Sequence, residues 1–280
     1  LDETRTPQDS LLVITDIASV GRCSALVVLP VLTLSGASVS LLPTAYFSTH
    51  TGGFGAVHRL DMTQDMEGAI AHWQRLGLTF SAIYLSYVAN ARQLQMIENA
   101  LPTLLREGGT LYIDPVMGDH GRRYAFCGED LVQAFARLCK KADVIFPNRT
   151  EAALLLGLPL TEGVEPAVPD ADSLRALSAK QVVLTGVARG EELGVMAVSN
   201  DAAPCQIFRK RHPGAYPGTG DLLAASVIAA LQKGKPLAEA CGIALDFLQA
   251  ALANTARYAA DSRFGLAFEE ALPGLVQGLS

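Results

Sequence analysis

Short apolar runs alternate with longer amphipathic ones along most of this chain, and that alternation predicts its layers. Leu11-Leu12-Val13-Ile14 reads as a strand buried on both faces, because four consecutive apolar residues leave no side for water. Residues 23–34 read as a helix ending at Gly36, and residues 39–42 as a second strand closed by Pro43. Residues 62–76 have helical periodicity, with Thr63 as cap and Gly77 as stop. Residues 82–85 are then a strand, 91–106 a helix ending at Gly108-Gly109, and 111–113 a strand. The order repeats with a helix over 131–140, a strand over 144–146 and a short helix over 150–156 stopped by Gly157. The Pro- and acid-rich stretch 162–172 reads as a surface connection, since the alternation resumes after it with a strand at 182–184. Residues 194–198 and 206–209 suit an antiparallel pair at a sheet edge, and helices over 222–231 and 237–258 follow. The pattern is that of an α/β protein with a mostly parallel sheet and helices on both faces. One domain over residues 1–280 is the simplest account, with residues 1–10 as a flexible N-terminal extension.

Composition supports a large core, since half of the 280 residues are apolar and only 18% are charged. The net charge of −6 argues against a nucleic-acid or membrane-surface partner. An acidic chain that handles phosphates must neutralise them locally, with backbone amides, a few basic side chains and a metal ion. The five cysteines are odd in number and widely spaced, with no CxxC pair, so neither a zinc site nor a disulfide framework is expected. The longest apolar run, residues 25–34, is broken by Pro30 and is too short for a membrane span, and a start with Asp2, Glu3 and Asp9 does not read as a signal peptide. A soluble, cytoplasmic protein is expected.

The chemistry is signalled by Pro217-Gly218-Thr219-Gly220-Asp221, which runs into the apolar pattern of residues 222–231. A glycine-broken turn entering a helix brings backbone N–H groups and the positive end of the helix dipole to one place, which suits a phosphate. Asp221 there has two readings. It is either an acidic residue that stabilises a helix N-terminus or a general base where a hydroxyl meets a bound phosphoryl group. In a parallel sheet ligands gather at the carboxyl ends of the strands. Those ends carry Thr15-Asp16, the stretch from Thr44 to Gly53 with His50, Ser86-Tyr87, Asp114-Pro115-Val116-Met117-Gly118-Asp119, Pro147-Asn148-Arg149-Thr150-Glu151 and Thr185-Gly186. Each element taken alone has an ordinary structural reading. Asn148 and Glu151 suit a helix start, Asp119 an Asx turn, Tyr84 the core, His50 a loop histidine satisfied by backbone, and Arg22, Arg122, Arg123 and Arg149 a solvated surface.

Taken together, Asp114-Pro115-Val116-Met117-Gly118-Asp119, Asn148 to Glu151, Val183-Leu184-Thr185-Gly186 and Gly218-Thr219-Gly220-Asp221 occur in an order and at separations that resemble the pyridoxal kinase branch of the ribokinase-like superfamily. The likeness runs from about Leu11 to the last predicted helix. It implies a three-layer α/β/α sandwich and an ATP- and magnesium-dependent phosphorylation of the 5′-hydroxymethyl group of pyridoxal, pyridoxamine or pyridoxine, as in vitamin B6 salvage. By the same likeness Asp221 is the base, and the N–H groups of Gly218, Thr219 and Gly220 hold the transferring oxygens. Asp114, Asn148, Glu151, Thr185 and Gly186 meet the nucleotide, Asp114 and Glu151 serve the metal partly through water, and Asp16, Thr44, His50 and Tyr87 contact the ring. A homodimer is implied too, and a monovalent cation is left open. The chain departs from the branch at Ser86-Tyr87-Val88-Ala89, where many members carry Gly-Tyr-Leu-Gly. A hydroxymethylpyrimidine (phosphate) kinase of thiamine metabolism and a non-catalytic vitamer-binding protein are therefore the alternatives.

Overall fold

A computed structural model describes residues 10–178, 180–258 and 261–280. The first strand, β1 (Ser10–Ala18), is followed by α1 (Ala25–Thr33), β2 (Ser38–Phe47), β3 (Arg59–Asp61), α2 (Thr63–Leu76), β4 (Phe80–Leu85), α3 (Ala91–Leu104) and β5 (Leu105–Ile113). Then come the short strands β6 (Gly118–Asp119) and β7 (Arg122–Arg123), α4 (Glu129–Cys139), β8 (Val144–Ile145), α5 (Arg149–Leu155) and α6 (Ala171–Arg175). The chain continues through β9 (Gln181–Arg189), β10 (Glu192–Ser199), β11 (Cys205–Lys210), α7 (Thr219–Gln232), α8 (Leu237–Arg257) and α9 (Leu272–Leu279).

Among the described residues nine strands form one sheet in the order β11-β10-β9-β8-β5-β4-β1-β2-β3. The six from β9 to β2 run parallel; β3 and β10 run against them at the two edges, and β11 pairs antiparallel with β10. Successive residues of a strand point to opposite faces. Leu11 and Val13 accordingly join the core under α1, α7, α8 and α9, while Leu12 and Ile14 join the core under α2 to α6. Ala82 and Tyr84 divide from Ile83 and Leu85 in the same way. The α/β/α architecture expected from the alternation is the one observed.

The chain leaves β1 for β2 on one side and returns to β4 on the other, so strand order switches at β1. Ligand crevices of open α/β sheets form outside the carboxyl ends of strands at such a point. Asp16 and Ser86 sit there.

Several boundaries differ from the sequence expectation. Residues 1–9 of the proposed N-terminal extension lie outside the described residues, and Ser10, also assigned to it, is the first residue of β1. β2 runs through Pro43 to Phe47, because a residue without an N–H is tolerated where β2 nears its short, exposed partner β3. Thr63 is the first residue of α2, and its N–H is taken by Asp61 Oδ1 at 2.8 Å, so Asp61 supplies the capping oxygen. α3 stops at Leu104 and passes directly into β5, ahead of Gly108-Gly109. The surface connection runs into α6, which begins at Ala171 and is capped by Asp170. α9 was absent from the sequence pattern because Pro273, Gly274 and Gly278 read as loop residues; it is held by burial of Leu275 and Leu279.

Candidate active site

α7 begins at a turn with no room for side chains. Gly218 is its N-cap, at φ 79°, and a Cβ there would lie 2.0 Å from the carbonyl oxygen of Arg22. Only glycine fits both the conformation and the contact. A Cβ on Gly220 would meet nothing within 4 Å, so the first turn of α7 opens onto free space. Thr219 Oγ1 donates to Tyr216 O at 2.6 Å and pins the turn. The N–H groups of a first helical turn have no intrahelical partner, which suits an anion.

Asp221 is in that turn and partly buried. Among the described residues its Oδ2 takes both protein donors, the Ser24 N–H at 2.9 Å and the Cys23 thiol at 3.4 Å. Burial raises its carboxyl above the usual range, while the two donors oppose that shift. The helix-end reading of Asp221 is met, and its raised carboxyl suits the base reading as well. It sits at a helix start and also presents a carboxylate of raised basicity.

Two further carboxylates lie towards the carboxyl ends of β1 and β5, the strands on either side of β4. Asp16 is buried inside β1, opposite both Thr44 and Ala45 of β2, where the pairing slips by one residue. Desolvation pushes its carboxyl up to about 6; hydrogen bonding from the Ser24 side chain opposes this, and Asp221 adds to it. Asp114 follows β5, is buried, and is pushed to about 8 by desolvation and then by Asp221. Tyr84, fully buried as expected of a core residue, lies with its hydroxyl 3.5 Å from Asp114 Oδ2.

Asn148 and Glu151 form a reciprocal capping box at the start of α5. Glu151 Oε2 accepts from Asn148 N at 2.9 Å, and its Oε1 accepts from Met117 N at 3.1 Å. Asn148 Nδ2 donates to Gly118 O at 2.8 Å. The pair thereby ties the segment after β5, which carries Asp114, to α5. Glu151 is buried, and its carboxyl is raised by desolvation first and by Asp114 second. Buried acids so close together are costly unless a cation or a proton sits among them. Oxygen donors with lone pairs to spare suit a hard divalent ion such as magnesium. Asp114 has the more open carboxylate, and Glu151 can reach an ion only beyond its two N–H donors. Asp119 is turned away in the β6–β7 hairpin, with its carboxylate bonded to the N–H and ring of His120.

Thr185 and Gly186 lie within β9, not beyond it as the sequence suggested. Between the pairs Leu184↔Met196 and Val187↔Gly194, the two residues oppose Val195 alone, which makes a bulge. Gly186 takes φ 72° and a Cβ there would meet nothing within 4 Å. Bulges of this kind re-aim backbone at functional sites.

On the ring side Thr44 is buried within β2, and its hydroxyl donates to Tyr87 O at 2.9 Å. Tyr87 is flanked edgewise by Phe47 and Phe126, at 5.7 and 5.0 Å between ring centroids. His50 is buried with both nitrogens engaged, Nδ1 accepting from Gly52 N at 3.1 Å and Nε2 bonded to Arg263 O. Those bonds set the neutral tautomer with hydrogen on Nε2 and make His50 a tie between loops. Of the basic residues considered, Arg22, Arg122 and Arg123 pair with Glu269, Glu162 and Glu129, and Arg149 donates to the carbonyls of Glu165 and Pro166.

Three residues went unnoticed in the sequence. Cys23 and Ser24 hold Asp221. Gln93, fully buried, accepts from Ala89 N at 2.8 Å and donates to Thr44 O at 2.9 Å and Thr63 Oγ1 at 3.0 Å.

A sequence model of the family described as phosphomethylpyrimidine kinase matches residues 41–263. The chain is similar to pyridoxal kinase from Lactobacillus plantarum, with 34% identity, 97% of this chain and 98% of that chain covered and a TM-score of 0.88. It is also similar to a Bacteroides thetaiotaomicron protein described as a candidate phosphomethylpyrimidine kinase and crystallised with pyridoxal, with 30% identity, 96% of each chain covered and a TM-score of 0.88. Pyridoxal kinase from Leishmania donovani, solved with ADP and pyridoxamine, is 26% identical over 96% of each chain, with a TM-score of 0.77. No described helix is long and apolar enough to cross a membrane.

Proposed function

Since the chain belongs to the phosphomethylpyrimidine kinase family, we propose that it is a pyridoxal kinase, an ATP-using phosphotransferase that acts on the 5′-hydroxymethyl group of pyridoxal, pyridoxamine or pyridoxine. The observation that carries the assignment is Asp221 in the open first turn of α7, close enough to buried Asp16 of β1 and Asp114 after β5 for its charge to raise both.

In this reading Asp221 takes the proton of the ring hydroxymethyl group as its oxygen attacks the γ-phosphorus. A P–O bond forms to the vitamer, the bridging P–O bond to the β-phosphate breaks, and ADP leaves. The N–H groups of Gly218, Thr219 and Gly220 hold the equatorial oxygens, where positioning and electrostatics supply most of the rate. The bulged Thr185-Gly186 backbone meets the nucleotide phosphates. Asp114 would hold magnesium, with Glu151 and Asn148 fixing the segment after β5 and reaching the ion through water. When bound, magnesium neutralises phosphate charge. Asp16 accepts from the polar edge of the ring, Tyr87 offers it an aromatic face, and His50 and Thr44 shape the rim. The likeness to pyridoxal kinases also supports a homodimer, for which the exposed Leu26, Tyr46 and Leu60 offer apolar surface; sedimentation would read that state. Five free cysteines accord with a cytoplasmic setting.

Hydroxymethylpyrimidine is the second reading, favoured by the description of the matching family model. The shared ring-side features suit any flat, substituted ring. Pyridoxal and hydroxymethylpyrimidine competing in one reaction with ATP and magnesium, followed by separation of the products, decides between them. Pyridoxal is expected to win in kcat/KM by at least ~10-fold, about 1.4 kcal/mol in transition-state binding. A dominant pyrimidine product would reassign the substrate, and no ATP consumption with either ring would leave a vitamer-binding protein.

A further inference from the structure

The proposed base is held by a corner of the chain that the reaction scheme does not itself use. Ser24 is the N-cap of α1, where a serine hydroxyl ordinarily accepts from first-turn N–H groups. Here its side chain makes no such bond, and its backbone sits at φ 52° and ψ −132°, a conformation rarely adopted by a residue with a side chain. That conformation aims the Ser24 N–H at Asp221 Oδ2, 2.9 Å away. Cys23 donates its thiol hydrogen to the same oxygen at 3.4 Å, while the Ser24 hydroxyl, 3.7 Å from Cys23 Sγ, is turned towards Asp16.

The corner is clamped from behind. Arg22 N–H bonds to Phe264 O at 2.9 Å, and Arg22 O lies where a Cβ of Gly218 or Gly265 would have to be. The N–H of Ser24, held by an unusual backbone, and the thiol of Cys23 thus converge on one oxygen of Asp221.

We infer that Cys23 and Ser24 are positioning residues for Asp221: by occupying Oδ2 they hold the carboxylate in one rotamer and leave Oδ1 to face the acceptor hydroxyl. The inference rests on the kinase reading of Asp221. A serine at position 23 keeps a donor in reach of Oδ2, whereas an alanine removes it.

Steady-state rates with pyridoxal and ATP are measured for the wild type, Cys23→Ala, Cys23→Ser, Asp221→Asn and the double variant Cys23→Ala with Asp221→Asn. Wild-type turnover tests the kinase reading, and the ratios among variants test the inference. Cys23→Ala is expected to lower kcat by about 10-fold, the scale of one hydrogen bond to a charged group, with the KM for ATP unchanged. Cys23→Ser should restore kcat to within about 2-fold, and Cys23→Ala should cost nothing further once Asp221 is asparagine, because residues acting as one unit are not additive. A kcat of Cys23→Ala equal to wild type, or the same fold-loss in both backgrounds, overturns the inference. A crystal structure of Cys23→Ala gives a readout without turnover: Asp221 is expected to leave its rotamer, and an unmoved carboxylate overturns the inference. Should Cys23→Ala fail to fold, Cys23→Val, which fills the space without offering a donor, carries the same structural test: Asp221 should again lose its single rotamer, and an unmoved carboxylate has the same overturning force.

Discussion

The two sides of the site are built by different means. On the proposed phosphoryl side main chain packs against main chain, and the Arg22 carbonyl leaves no space for a Cβ at Gly218 or Gly265. On the ring side the walls are tied by side chains. Gln93 bridges Thr44 O and Ala89 N, and the Thr44 hydroxyl reaches Tyr87 O. Backbone packed that tightly accepts almost no substitution, whereas a side-chain network can be rewired one residue at a time. A fold assembled this way keeps its reaction and changes its ring, in keeping with a family description that names a pyrimidine and solved structures that hold pyridine vitamers.

The sharpest division between the sides is expected from Asp221→Asn, which keeps size and removes basicity. It should lower kcat by ~100-fold or more, the range of general-base catalysis, while nucleotide affinity measured by calorimetry stays near wild type. Near wild-type turnover would make Asp221 a helix-end residue only.

On the ring side Asp16→Asn should act on stability, with a sign set by pH. The Asp16 carboxyl sits at about 6 in the fold against 3.8 for an ordinary aspartate. Between those values the folded state binds more protons than the unfolded one, so stability from this group is complete below pH ~4 and lost as pH rises through about 6. The asparagine variant should therefore unfold later than wild type at pH 8, by up to roughly 2–3 kcal/mol, and lose that advantage at pH 4. An advantage of equal size at both pH values would assign it to packing.

The smallest effect is expected from Gln93→Leu, which leaves Thr44 O and Ala89 N without their partner. Stability should fall by about 1–2 kcal/mol, and the KM for the vitamer should rise several-fold with the KM for ATP unchanged. Equal changes in both KM values would erase the distinction between the two sides.

The strand and helix order was legible because each strand of a parallel sheet is buried on two faces and must be apolar throughout, while each helix is buried on one. The glycine turn at α7 was legible for a related reason, since it is a local backbone requirement met by Gly218. Edge strand β3 left no trace, because Arg59, Leu60 and Asp61 are all exposed and carry no alternation. Asp16, Thr44, Thr185 and Gly186 seemed to lie beyond their strands, because polar residues interrupt an apolar run without interrupting backbone pairing. Asn148 and Glu151 showed their capping box in their spacing, but not that Glu151 also grips Met117.

Local pattern was enough to establish the layers, the glycine turn at the start of α7 and the set of polar strand ends, since each depends on residues adjacent in the chain. Which of those polar groups meet was decided only by folding. In the sequence Ser24 and Gln93 are two polar residues near the starts of predicted helices, with nothing to mark them. Their partners, Asp221 and Thr44, are 197 and 49 residues away, and both alignments come from strand order and close backbone packing. The raised carboxyls of Asp16 and Asp114 arise in the same way: desolvation and the field of a distant aspartate exist only once β1, β5 and α7 have been brought to one end of the sheet.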